Sequence, residues 1–159
     1  MADTAAPTTM SQTERQVRAL QIVKANCGWS SAAGVIPVPL LDLAAIAGVQ
    51  YRMVRQLTDL YGIPYNKRTV DSIVGALVGS GGVLIASPVA ASLLKVVPVV
   101  GTFLSTLVVP ATAAASTFAL GKVFIQHFES GGTLLSLNPE AQRTYYYNEF
   151  RKAEAESKT

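Results

Sequence analysis

Apolar positions recur along this chain at helical spacing, and the polar residues between them mark where helices begin and end. Ser11-x-x-Glu14 matches a capping box, in which hydroxyl and carboxylate satisfy free N–H groups at a helix start. The helix it predicts, from about Gln12 to Ala33, puts Val17, Leu20, Val23 and Cys27 on one face, with Arg15, Arg18 and Lys24 off it. Trp29 lies where that helix loses charge, an amphipathic ring suited to an interface and equally to a core rim. Ile36-Pro37-Val38-Pro39 ends the helix, because each proline drives its predecessor out of the α region; Pro39 then suits the first turn of the next helix.

That second helix, from about Pro39 to Tyr61, starts apolar except for Asp42, whose charge in the first turn favours the helix dipole. It continues with Met53, Val54, Leu57, Leu60 and Tyr61 inward and Arg52, Arg55, Gln56 and Asp59 outward, until Gly62 and Pro64 stop it. Together the two form an antiparallel hairpin with its apex at the prolines.

Ser72 to Gly121 holds one formal charge, Lys95. The uncharged run on either side is long enough, as helix, to cross a hydrocarbon core that takes about 20 residues. A third helix is predicted from about residues 66–69, with Val70, Ile73, Val74, Leu77 and Val78 apolar. Gly75-x-x-x-Gly79 would let another helix approach closely, and Gly79, Gly81 and Gly82 favour a kink. The chain is expected to turn from Lys95 through Pro98 to Gly101. A fourth helix runs to Phe128, bent at Pro110 and ended by Gly131-Gly132. Asn138-Pro139-Glu140 is an N-cap, first-position and acidic-turn trio opening a fifth. On it Tyr146, Phe150 and Ala153 share a face that docks, by preference onto the bundle and otherwise onto a headgroup layer.

The expected fold is all-α and membrane-associated, two consecutive helical hairpins plus a C-terminal amphipathic helix. Residues 1–10 are read as a disordered N-terminus, 11–132 as the helical hydrophobic domain (hairpins 11–62 and 66–130), and 138–156 as the last helix. Val35-Ile36-Pro37-Val38 and Val96-Val97-Pro98-Val99 echo one another at the two apices.

Composition sharpens this picture. Only 14% of the residues are charged, well below the roughly 25% usual in soluble domains, so much of the surface must meet lipid or protein. A net charge of +3, with no dense Lys/Arg run, suits an anionic leaflet and argues against nucleic acid. Basic residues flank the greasy segment on both sides (Arg52, Arg55, Lys67 and Arg68 before it, Lys122, Arg143, Arg151 and Lys152 after), which places both flanks and both termini in the cytoplasm. Residues 1–10 lack the basic start and apolar run of a secretory signal.

Catalytic chemistry finds no foothold. Gly75 to Gly82 is glycine-rich but lacks the lysine and following Ser/Thr of a P-loop. His127 is the sole histidine and Cys27 the sole cysteine, leaving no metal set, cofactor site or disulfide to assemble. A non-enzymatic interaction or scaffold module is expected. The alternatives are a small oligomeric pore and a soluble oligomeric bundle, and a homo-oligomer is expected in each.

Two proline-centred stretches carry a family resemblance. Ile36-Pro37-Val38-Pro39 with Asp42, Gln50-x-x-Met53 and Leu60-Tyr61-Gly62-Ile63-Pro64 resembles the YcjF-like bacterial group of unknown function, as does Leu93-Leu94-Lys95-Val96-Val97-Pro98-x-x-Gly101 with Thr117 to Phe128 and Gly131-Gly132. The resemblance spans about residues 20–132; Leu40 departs from the glycine usual there. It implies a helical module at the bacterial inner membrane, at times partnered by a separate GTPase, with no assigned catalytic residues.

Overall fold

The computed structural model describes residues 10–33, 39–79 and 101–157, with side chains for 10–33, 44–78 and 110–157. Within them the chain is all-α: α1 (Gln12–Ala33), α2 (Pro39–Tyr61), α3 (Lys67–Val74) running into a π-helical turn (Gly75–Gly79), α4 (Gly101–Glu129) and α5 (Pro139–Glu156). Pro37, Gly81, Gly82, Lys95 and Pro98, and with them both proline-centred apices, lie outside the described residues. Of Pro39, Asp42, Gly79 and Gly101 the backbone alone is described.

Helix ends follow the local chemistry. The Ser11 amide donates to Glu14 Oε2 at 2.9 Å, and the Glu14 amide to Ser11 Oγ at 3.2 Å, closing the capping box. Asn66 Oδ1 accepts from the Thr69 amide, and Asn138 Oδ1 from the amides of Glu140 and Ala141. Gly62 and Gly131 take φ of 67° and 84°, the left-handed region in which glycine alone avoids a Cβ clash, and so terminate α2 and α4. His127 braces the loop after α4, with Nε2 2.9 Å from the Thr133 carbonyl and 3.1 Å from Ser136 Oγ.

α4 is the central helix, packed on α1, α2, α5 and the π turn. Among the described residues it pairs chiefly with α1 and α5; the turn of the hairpin expected over 66–130 falls in residues 80–100, outside the described residues. Contacts fix the directions. Gln12 bonds Glu129 and Ser31 bonds Pro110, so α1 and α4 are antiparallel. Gln50 meets Ser116 and Thr117 while Tyr61 meets Glu129, so α2 runs parallel to α4. The core between them holds Val23, Met53, Leu57, Leu77, Leu120, Val123, Phe124 and Tyr146, all fully buried. Each large apolar side chain here contributes about 1.5–3 kcal/mol by leaving water.

Two expectations are corrected. The buried line of α1 is Ala19, Val23, Asn26 and Ser30; of the expected face, Val23 lies in the core and Leu20 and Cys27 pack against it, but Val17 is 51% exposed. Asn26 and Ser30 can face inward because both are hydrogen-bonded there, so periodicity of apolar residues alone misses the polar half of the line. The second concerns the membrane. No described helix is long and apolar enough to cross one. The end of the second greasy run lies in α4, where Ala113, Ala115, Ala119 and Leu120 are buried among the protein's own helices. α4 also continues through Pro110, whose carbonyl accepts from Ser31 Oγ at 3.4 Å.

Candidate functional site

A layer of polar side chains crosses the middle of the bundle. Ser30 and Thr117 hydroxyls lie 2.7 Å apart; Gln50 Nε2 donates to Ser116 Oγ and Thr117 Oγ1 at 3.3 and 3.4 Å; Ser116 Oγ and the Tyr146 hydroxyl are 2.9 Å apart. Four helices are tied together by groups from which solvent is excluded. Burial pushes the Tyr146 hydroxyl up to about 12, still farther from ionising at neutral pH. The layer's chemistry is positional: satisfied hydrogen bonds in a dry interior specify one alignment of the helices.

Above this layer three helix ends meet. The C-terminal end of α1 and the N-terminal ends of α2 and α4 share one pole, by the directions just given. Ala25–Ala33 of α1 carries no charge, residues 39–51 of α2 carry only Asp42, and Gly101–Gly121 of α4 carry none. α5, running toward this pole, ends with Glu156 and Ser157 beside Ala111, so the first ten residues of α4 continue about 15 Å of helix farther. The opposite pole is charged. There Glu129 accepts from Tyr61 at 2.6 Å and Gln12 at 3.1 Å and pairs with Arg15 at 3.5 Å, with the Arg15 guanidinium over the Tyr61 ring.

Between α1 and α2 a groove of about 280 Å³ opens toward solvent, lined by Arg18, Gln21, Ile22, Ala25, Asn26, Trp29, Arg52 and Gln56. Trp29 is 59% exposed there, on the uncharged end of α1. A second hollow of about 190 Å³, between α1, α4 and α5, holds Cys27 and Lys24 among alanines. Cys27 is half-buried, and desolvation raises its thiol to about 11.

The residues singled out in the sequence are dispersed by the fold. Tyr146 and Phe150 face inward against the bundle while Trp29 faces out. Gly75 is exposed, and a Cβ built on it would meet no atom within 4 Å. Close backbone approach occurs at Gly121, where a Cβ would come 2.5 Å from Val23 Cγ2. Gln50 and Thr117 stood out in the sequence only as parts of the family resemblance; that they meet Ser30 and Ser116 in one polar layer was not visible there, nor was the groove. For Ser30 the one signal was spacing: Asn26 and Ser30 continue the Ala19–Val23 line at helical intervals.

Comparison with known proteins places the chain. Residues 3–146 match the family described as Domain of unknown function (DUF697). The chain belongs to that family. This agrees with the resemblance to a bacterial group without an assigned function. A relative in the curated proteins is Magnetosome membrane protein 22 of Magnetospirillum gryphiswaldense, 39% identical over 128 residues, which cover 78% of this chain. The match spans 64% of that relative's length. No solved structure matches.

Proposed function

We propose that this member of the family is a non-enzymatic, membrane-docked helical module that meets the bilayer with its charge-poor pole and offers its charged pole to the cytoplasm. The observation that carries the reading is the convergence of three helix ends with one charge between them, Asp42, at one end of a bundle whose other end is built around Glu129, Arg15 and Tyr61. Sequence segments far apart contribute to that pole, and apolar helix ends gathered on one side are costly in water unless something covers them. A relative named as a magnetosome membrane protein supports a membrane setting. A separate GTPase as protein partner belongs to the same proposal and rests on the family resemblance alone.

Fractionation without detergent, followed by flotation of the purified full chain with liposomes, tests the reading. The chain is expected to pellet with membranes and to float with vesicles. A monodisperse chain left in the supernatant and indifferent to vesicles overturns it.

A further inference from the structure

We propose that the groove between α1 and α2 is a headgroup site, taking a lipid phosphate ester that also carries a hydrogen-bond donor, as phosphoglycerol does. Charge is the first argument. Arg18 and Arg52 line the groove, no carboxylate does, and neither guanidinium has an ion-pair partner among the described residues. Arg15, Lys67, Arg143 and Lys152 are each paired elsewhere, so the groove keeps uncompensated positive charge that an anion complements.

The second argument is an orphan acceptor. Asn26 is 3% exposed, and its Nδ2 is committed to the Ile22 carbonyl and Gln56 Oε1, both at 2.8 Å. Its Oδ1 is buried with no partner. A buried acceptor left unmade costs about 1–3 kcal/mol, so a donor supplied by a ligand would be favoured there. Arginine selects the phosphate and Asn26 selects a headgroup hydroxyl or ammonium.

Position supplies the third. Asn26 sits opposite Gln56 on antiparallel helices, so Arg52, one turn back on α2, lies level with Trp29 toward the charge-poor pole. An exposed indole beside a guanidinium is the arrangement found at membrane–water interfaces. The groove's volume of about 280 Å³ is roughly nine times a water's share of about 30 Å³, room for a headgroup. The inference rests on the membrane-docking reading and adds to it the lipid that is bound and where.

The test is co-sedimentation of the full chain with phosphatidylcholine vesicles containing phosphatidylglycerol or, separately, phosphatidic acid, which lacks the glycerol donor. The intact chain is expected to bind the phosphatidylglycerol vesicles several-fold more tightly, despite the greater charge of phosphatidic acid. Arg18→Gln with Arg52→Gln should weaken that binding by about twenty-five-fold, at roughly fivefold per surface guanidinium. Arg55→Gln, outside the groove, should leave it within twofold. Asn26→Leu, with helicity and melting checked, should erase the preference between the two lipids. Equal losses from Arg55→Gln and the groove pair would overturn the site. So would binding of soluble glycerol phosphate without binding of vesicles. Vesicle binding untouched by every groove substitution removes the headgroup site and leaves docking by the pole intact, whereas no binding to any vesicle removes both.

Discussion

Ser30 and Thr117, 87 positions apart in the chain, bring their hydroxyls to 2.7 Å in a part of the bundle that water does not reach. The contact sets the height of α1 against α4, and through Gln50 it sets that of α2 as well. Thr117→Val keeps the shape while leaving Ser30 without a partner and Gln50 with Ser116 alone. It should destabilise by about 1–3 kcal/mol, and the Ser30→Ala, Thr117→Val pair should cost less than the sum of the singles. Urea unfolding of the four members of the cycle measures this; additive singles would show that the two hydroxyls are not coupled.

At Gly121 the α4 backbone lies close against Val23 of α1. A Cβ there would lie 2.5 Å and 2.7 Å from the two Val23 methyls and 3.2 Å from Met53 Sδ. Gly121→Ala gains helix propensity, about 1 kcal/mol, yet overpacks a fully buried site at a cost of about 1–3 kcal/mol. Net destabilisation is expected, largely relieved by adding Val23→Ala. A thermal melt of both variants decides it, since an unperturbed Gly121→Ala would mean that the helices can separate freely.

Glu129 makes the charged pole sensitive to pH. Burial alone would raise its carboxyl, but hydrogen bonds from Tyr61, Gln12, Gln16 and Arg15 outweigh it and hold the group below its ordinary 4.5. A folded-state value below the unfolded one means a contribution to stability that is full above about pH 4.5 and lost as pH falls through the folded value. Tyr61 acts at the other end of the scale. Burial first, and then Glu129, raises its hydroxyl, so its contribution fades as pH climbs above about 10. Glu129→Gln should flatten the acid limb of a stability–pH profile and cost about 1–3 kcal/mol at neutral pH. An acid limb unchanged by the substitution would assign it to other carboxylates.

Cys27 should be slow to react. With its thiol raised from 9.0 to about 11, its thiolate fraction at neutral pH is about a hundredfold below that of an ordinary cysteine. Labelling by a chromogenic disulfide is expected to be correspondingly slow in the native chain and to become rapid in denaturant. Fast labelling under native conditions would show that the α1–α4–α5 hollow opens.

Helix boundaries were legible because they are set by neighbours in sequence. Ser11 and Glu14, Asn66 and Thr69, and Asn138 before Pro139 each find their partners within four residues, so the residue types already state the bond. The same holds for Gly62 and Gly131, where the next turn of helix must end. The polar half of the inward face of α1 was not legible. Ala19, Val23, Asn26 and Ser30 form a buried line only because Gln56 on α2 accepts from Asn26 Nδ2 and Thr117 on α4 bonds the Ser30 hydroxyl. Until those helices are in place, Asn26 and Ser30 read as solvent-facing residues.

The chain by itself thus determined its all-helical class, the caps and stops, and the small share of charge. Tertiary structure alone decided that α4 pairs with α1 and α5, that three helix ends poor in charge gather at one pole, and that Arg18, Asn26 and Arg52 face a common groove. The physical reason is range. Caps, turns and periodicity act over one or two turns of backbone, whereas burial and pairing depend on groups brought together from positions as far apart as Gln12 and Glu129.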